Sequence, residues 1–262
     1  MSMSDESFNI VPIGYFHCDS QYPAEVPRQP SWGNNKGYIE IKPEFQDKRL
    51  WHQLDGFSHI WVQFIFHKNT HWKPMTQPPY FEAEKVGTWA SRSPYRPNRL
   101  GMSCLPLLKI NNNKIFVEQH DLLNGTPIID IKPYVTQTDA FPDARMGWLQ
   151  NMDREQYDVR IQPSATAKLT WLKQNSSIDF AGFIHTQLSH QPDDVRYKRI
   201  KKCVENENLV ISHRTWRIEY QIQDRKVEIL DISSGYTSQQ LSEQEDPIGD
   251  KDLHRKFLQA EL

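Results

Sequence analysis

The first 135 or so residues of this 262-residue chain predict a small, mainly β unit, either a barrel or a sandwich, and the rest predicts a smaller α+β unit. Three observations carry that reading. Short runs of aromatic and β-branched residues recur between tight turns up to about residue 135. The 17 prolines outnumber the 11 glycines, so fixed turns rather than flexible loops punctuate the chain. From about residue 176, Phe180, Phe183, Ile184 and Leu188 recur at helical spacing.

In order, a strand is expected within 8–20, followed by a loop rich in proline and glycine over 22–37. Tyr38–Ile41 reads as a short strand, Phe45–Leu54 as a short helix and Phe57–Phe66 as a strand dense in aromatics. Val86–Ser91 and Gly101–Ile110 are further strands on either side of a stiff loop bearing arginine and proline. Asn111-Asn112-Asn113 turns the chain into Ile115–His120, and one more strand is expected within 126–135. Phe141-Pro142-Asp143-Ala144-Arg145 closes the first unit, placed at 1–150. The second is placed at 160–236, with a helix over 176–203 and strands at 209–211, 216–222 and 227–232. Residues 237–262 carry six acidic and three basic side chains and read as a tail, mobile until Leu253–Leu262.

Composition excludes several classes. A net charge of −2, from 31 basic and 33 acidic side chains, provides no global attraction to nucleic acid or an anionic membrane, so a local patch would have to. The longest nearly apolar run, Ile60–Phe66, has the length of a strand and not of a membrane helix. The start lacks the basic and apolar regions of a signal peptide. Cys18, Cys104 and Cys203 are odd in number and far apart, which argues against a disulfide framework or a cysteine metal site and suits the cytosol. Neither GxGxxG nor GxxxxGK[ST] occurs, so the usual dinucleotide and P-loop cradles are missing.

Polar residues concentrate in four places. Arg92, Arg96 and Arg99 fall within eight residues, stiffened by Pro94 and Pro97. They form either a set of donor forks for carboxylate or phosphate or a solvated loop. His67 and His71 have a spacing that binds zinc on a helix, but here it leaves a strand and runs into Lys73-Pro74, which favours structural histidines and no metal. Asp121–Tyr134 contains an Asn124-Gly125 turn with exposed backbone donors. Asp130 and Lys132 lie two apart on one face, placed to pair with each other or to flank a ligand. Arg196, Lys198, Arg199, Lys201 and Lys202 put five positive charges into seven residues around Tyr197, a candidate RNA contact or an ordinary solvated helix end.

With these blocks in view, the sequence resembles the TsaA-like (YaeB, TrmO) family of S-adenosylmethionine-dependent tRNA methyltransferases. The matching blocks are Val26-Pro27-Arg28-Gln29-Pro30, Gly56–Trp61 leading to Phe66-His67, Ala90–Pro94 with Arg96-Pro97-Asn98 and Gly101-Met102-Ser103, and Asp121-Leu122 with Gly125-Thr126-Pro127 to Tyr134. The resemblance implies an N-terminal β-barrel that binds S-adenosylmethionine as a homodimer without a Rossmann domain. It also implies methylation of N6 in N6-threonylcarbamoyladenosine at position 37 of threonine tRNA. By position, the cofactor site would include Pro27, Arg28, Gln29, His67, Lys68, Arg92, Met102, Asp121, Leu122, Leu123, Asn124, Gly125 and Thr126. Arg96, Asn98, Asp130, Lys132 and Tyr134 would lie near the substrate, with Asp130 or Tyr134 relaying a proton. The second unit departs from the Asp-Pro-Arg-Pro-x-Tyr motif of many bacterial relatives, since Gln191–Tyr197 retains only Pro192 and Tyr197. Two other classes fit the same residues: a regulator that binds S-adenosylmethionine without turnover, and an RNA-binding module that depends on 196–202.

Overall fold

The computed structural model describes residues 9–27, 29–33, 35–78, 83–151, 156–195, 198–203 and 206–260. The chain divides into two compact units at residues 150/151.

In the first unit, β1 (Gly14–His17), β2 (Lys36–Ile41), β3 (His59–Ile65), β6 (Leu100–Asn111), β7 (Lys114–Glu118) and β8 (Pro127–Pro133) close an antiparallel barrel in the order β1-β2-β7-β6-β3-β8. Between β3 and β6, β4 (Met75–Thr76) and β5 (Val86–Gly87) form a separate two-stranded ribbon. Alternation builds the interior. Ile60, Val62 and Phe64 of β3 point inward, while His59, Trp61 and Gln63 stay half-exposed. Phe16, Ile39, Leu105, Ile115, Val117 and Ile128 complete the same core. β6 serves two neighbours, pairing with β3 up to Pro106 and with β7 from Leu107. A proline without an N–H and a bulge at Leu107/Lys109 mark that change of partner.

The barrel closes on a thin seam, where β1 and β8 share only the pairs Gly14↔Ile128 and Tyr15↔Pro127. Gly14 is required there. A Cβ at this position would lie 2.4 Å from the Glu40 carbonyl oxygen on β2. Gly14→Ala is therefore expected to cost about 1–3 kcal/mol, read as a lowered melting temperature; an unchanged melt would show that the seam tolerates a wider β1–β2 spacing.

In the second unit, β9 (Asp158–Ile161) is followed by α2 (Pro163–Asn175) and α3 (Phe180–Leu188), α1 being the single turn Thr136–Asp139 of the first unit. β10 (Ile200–Lys202), β11 (Leu209–His213), β12 (Trp216–Gln223) and β13 (Lys226–Ser234) come next, then α4 (Ser238–Ser242) and α5 (Lys251–Gln259). The sheet order is β10-β11-β12-β13-β9, antiparallel except for β9, which pairs parallel to β13. Pro163 opens α2 at a position where its missing N–H costs nothing, and Asp179 caps α3 by accepting from Gly182 N at 2.8 Å.

The architecture is the expected one, a small β-barrel followed by an α+β unit, but several elements differ from the sequence reading. The helix expected over Phe45–Leu54 is three 3₁₀ turns (Pro43–Phe45, Lys48–Trp51 and Leu54–Gly56), interrupted by Gln53 at φ 67°. The helix expected over 176–203 is α3 alone, and the chain returns as β10. The stretch expected as a tail, 237–262, contains α4 and α5. Phe257 of α5 is 5% exposed inside the second core. Its charge count misled, because only Asp252 of the six acidic residues lies in α5, and that helix buries Lys251, His254 and Phe257. Among the described residues no helix is long and apolar enough to cross a membrane.

Candidate functional site

The turn between β7 and β8 lies at the barrel seam and is gripped from both sides. His120, fully buried, donates its backbone N–H to Asn35 Oδ1 at 3.1 Å, and its carbonyl accepts from Asn35 Nδ2 at 2.9 Å. Burial drives its imidazole down to about 4, so it is neutral at pH 7. Leu122 drops into the barrel core. Asn124 accepts from Cys18 N at 3.2 Å through its side chain and donates its own N–H to Ser20 O at 2.8 Å. Gly125, at φ 76°, donates to Phe16 O at 2.8 Å. Only glycine adopts that angle freely, and nothing would stand within 4 Å of a Cβ there. Backbone of β1 thus fixes the turn while its outer side stays open.

Asp121 begins this turn and is its chemical centre. Ser103, 3% exposed, donates to its carboxylate at 2.6 Å. Burial pushes the Asp121 carboxyl up to about 6, against the opposing effects of the Ser103 bond, its own backbone N–H and the Arg92 charge. Arg92 in turn donates to Gln29 Oε1 at 3.3 Å. Gln29 with Arg92 and Ser103 with Asp121, drawn from four separate stretches of sequence, are thus two bonded pairs coupled through the Arg92 charge.

The other arginines of that loop are spent locally. Arg96 donates to the carbonyls of Thr88 at 3.1 Å and Ser91 at 2.8 Å. Arg99, at φ 54°, donates to Asn69 O at 3.0 Å. Arg96 thus braces the 3₁₀ turn Thr88–Ala90, Arg99 braces the turn that follows β3, and Asn98 stands exposed in the tight turn between them.

The outer face of β6, β3 and β8 carries the remaining candidates. Register aligns Met102, Gln63 and Asp130 in one row, and Cys104, Trp61 and Lys132 in the next. Asp130 and Lys132 pair with each other, and the Asp130 carboxylate also accepts from Ile131 N at 2.9 Å. The Tyr134 ring lies 5.8 Å from Trp61 and 6.2 Å from His59. Trp61 is oriented by its indole N–H, which donates to Asp139 at 2.8 Å. The backbone N–H of Val135 and this indole hold the Asp139 carboxyl below the usual range.

Of the remaining expected residues, Pro27 is buried, and His67 and Lys68 form the turn leaving β3, with no bond to the Asp121 set. Burial, then the Lys68 charge, lower the His67 imidazole. Leu123 is half-buried and Thr126 buried within the seam turn. Arg28, Arg196 and Tyr197 lie outside the described residues. In the second unit, Lys198 turns inward and donates to the carbonyls of Gln187, His190 and Gln191 at 2.5, 2.5 and 2.8 Å, closing the end of α3. Arg199, Lys201 and Lys202 are exposed, the last two on the edge strand β10. Ser103, Trp61 and Asp139 are not among the sequence candidates. Alternation along β6 turns Ser103 inward, which was legible; the Trp61–Asp139 bond spans 78 positions and was not.

A family model described as the tRNA-methyltransferase O N-terminal domain matches residues 15–140. A probable S-adenosyl-L-methionine-binding protein of Pyrococcus abyssi is 37% identical over 140 residues, 53% of this chain and 74% of that protein. The chain belongs to the TrmO family. A tRNA (adenine(37)-N6)-methyltransferase of Escherichia coli is 29% identical over 176 residues, 64% of this chain and 75% of the relative. The mouse protein of the same name is 37% identical over 137 residues, 49% of this chain, and the match spans only 31% of the mouse protein. A crystal structure of TrmO from Pseudomonas aeruginosa shares the fold, with a TM-score of 0.66 at 24% identity, covering 89% of this chain and all of that one. Gln29, Arg92 and Asp121 were each named from the family resemblance on separate blocks of sequence, Ser103 was not, and all four positions fall within the matched 15–140.

Proposed function

We propose that this chain transfers a methyl group from S-adenosylmethionine to N6 of adenosine 37 in tRNA, and that its substrate is the N6-threonylcarbamoyl form in threonine tRNA. The bonded pairs Gln29–Arg92 and Ser103–Asp121, coupled through the Arg92 charge beside the open Gly125 turn, carry this reading. Their groups suit the cofactor: a guanidinium fork that donates to a carboxylate, and a carboxylate that accepts from an ammonium or a ribose diol. Arg92, Gln29 and Asp121 would hold it, with Pro27, Arg28, His67, Lys68, Met102 and the 122–126 turn around them. When bound, S-adenosylmethionine supplies a methyl group already activated by its sulfonium charge.

The chain's own work is to position the two reactants and to manage one proton. The acceptor N6 is a urea-type nitrogen with a delocalised lone pair, and it becomes nucleophilic on losing its proton. Asp130 or Tyr134 accepts or relays that proton, with Lys132 beside Asp130 and with Trp61 and Asp139 holding the surface on which Tyr134 rests. Arg96 acts through the shape of the loop that presents Arg92 and Asn98. Exposed Trp89 (84%), Trp72 (58%) and Met75 (49%) support a homodimer. Arg199, Lys201 and Lys202 support backbone contact with tRNA. Three free cysteines suit a cytoplasmic setting.

The test is incubation with labelled S-adenosylmethionine and tRNA from cells lacking the modification, followed by nucleoside mass spectrometry. Methyl on threonylcarbamoyladenosine is the expected result. Cofactor binding without transfer would replace the enzyme reading with a regulator, and methyl on another nucleoside would replace the substrate. Asp130→Asn and Tyr134→Phe are expected to lower turnover by about 100-fold or more for whichever residue moves the proton, with cofactor affinity unchanged. If both variants kept normal turnover, the relay would lie elsewhere.

A further inference from the structure

A second face of the barrel carries chemistry that the reaction does not use. Register sets His17 beside Tyr38, Tyr38 beside Phe116, and Phe116 beside Lys109, one row across β1, β2, β7 and the second half of β6. Phe16, Ile39, Ile115 and Val117, the neighbours in sequence, fill the barrel core, so this row faces outward. The His17 and Tyr38 rings stack at 4.9 Å and 15°, and Phe116 follows at 5.5 Å from Tyr38. The ammonium of Lys114 sits 4.4 Å from the Tyr38 centroid, and that of Lys109 sits 4.9 Å from Phe116. The row borders a depression of about 600 Å³, roomy enough for a nucleotide, whose wall also holds Lys36, Asp19 and, towards the seam turn, Asn124.

Three aromatic rings in a line, interleaved with lysines on a sheet surface, match what unpaired nucleotides require. Bases have π-faces that stack on rings, and the phosphates between them need cations. Glu40 already engages Lys114 at 3.6 Å and His17 at 3.3 Å, whereas Lys36 and Lys109 make no ion pair among the described residues. An apolar protein partner would bury those two ammonium groups uncompensated, and an RNA backbone would compensate them. We propose that this row is an RNA contact adjoining the cofactor turn, where one or two unpaired nucleotides stack on Tyr38 and Phe116 while Lys36 and Lys109 meet adjacent phosphates. As a base takes the ring face, the lysine above that ring swings to phosphate. The proposal rests on the reading of tRNA as the substrate.

The test compares the full chain with its Tyr38→Ala, Phe116→Ala, Phe116→Leu and Lys109→Gln variants. Affinity for tRNA is measured by fluorescence anisotropy over a salt series, affinity for S-adenosylmethionine by calorimetry, and assembly by sedimentation. Each ring-to-alanine variant is expected to weaken tRNA binding at least about 5-fold with cofactor affinity unchanged. Phe116→Leu preserves the apolar bulk and the fold but removes the stacking face, so it should show the same loss. Lys109→Gln should reduce the salt slope by about 1. Native tRNA affinity in the folded ring variants would overturn the platform while leaving tRNA as substrate. A fall in assembly with tRNA affinity intact would overturn it in favour of a contact between copies of the chain. Failure of the native chain to bind any tRNA while it binds S-adenosylmethionine would overturn both the platform and the substrate reading.

Discussion

Replacing Asp121 by asparagine is expected to make the protein more stable at neutral pH and a weaker binder of S-adenosylmethionine. The two effects share one cause. Burial raises the Asp121 carboxyl from 3.8 to about 6, so the folded state binds this proton more tightly than the unfolded state does. The folded form therefore has its full stability below about pH 4, where the group is neutral in both states. Stability falls as pH rises towards 6 and stays reduced above it. The displacement corresponds to on the order of 2–3 kcal/mol, a gain that Asp121→Asn would recover at pH 7 and would not show at pH 4. Asparagine retains an oxygen for the Ser103 hydroxyl, now at 2.6 Å, so the local bond survives. Melting curves at pH 4, 5, 6 and 7 should diverge progressively, reaching roughly 4–10 °C at neutrality.

The functional loss is of similar size in free energy. A charge-assisted bond to a cationic or diol group is worth about 1.5–3 kcal/mol, so calorimetry at pH 7.5 should find cofactor affinity lowered about 10- to 150-fold. In the unaltered protein, affinity should rise between pH 5 and 7 as Asp121 ionises, and that rise should vanish in the variant. Tight, pH-independent binding by Asp121→Asn would remove Asp121 from the cofactor site. A variant less stable at pH 7 would mean that the charge is compensated by more than Ser103 and Arg92. A buried acid retained at such a cost is typical of a site that trades stability for binding.

How much of this was legible depends on the distance over which each feature is decided. The β3 strand announced itself, because alternation of Ile60, Val62 and Phe64 is a local pattern. Closure of the barrel did not, because it depends on two residue pairs between β1 and β8, more than a hundred positions apart. The choice between barrel and sandwich stayed open in the residues for that reason. Charges were legible as composition and illegible as roles. Arg92, Arg96 and Arg99 look equivalent in sequence, yet the 3₁₀ turn at Thr88–Ala90 leaves carbonyls that Arg96 satisfies, and Arg99 does the same for Asn69. Of the three, Arg92 is the one that bonds to a side chain, that of Gln29. Lys198 was read as one of five cations facing RNA and instead closes the end of α3. For Arg96, Arg99 and Lys198 a backbone carbonyl, whose place is invisible in sequence, decided where the cation went.

The same limit made the last 26 residues look dispensable, and there the expected effect on stability is large. Phe257 is 5% exposed and packs edge-on against Trp216 at 4.9 Å and Trp171 at 5.5 Å. One turn earlier, His254 is fully buried, stacks on Trp216 at 3.8 Å and bonds to Thr215 at 2.9 Å and Ser234 at 2.7 Å. Helix α5 thus covers the central strands of its sheet with an aromatic plug and a polar pin. Phe257→Ala should cost the second unit about 3–5 kcal/mol, seen as a lower denaturation midpoint with little change in slope. Ending the chain at Tyr236 should cost more, since it exposes Trp216, the largest fully buried side chain. Urea titration with tryptophan fluorescence should then lose the cooperative transition of the second unit, and limited proteolysis should cut between 156 and 236 while sparing the barrel. If the shortened chain unfolded like the whole one, α5 would be an ornament on the sheet, and the covering of Trp216 would have to come from elsewhere in the second unit.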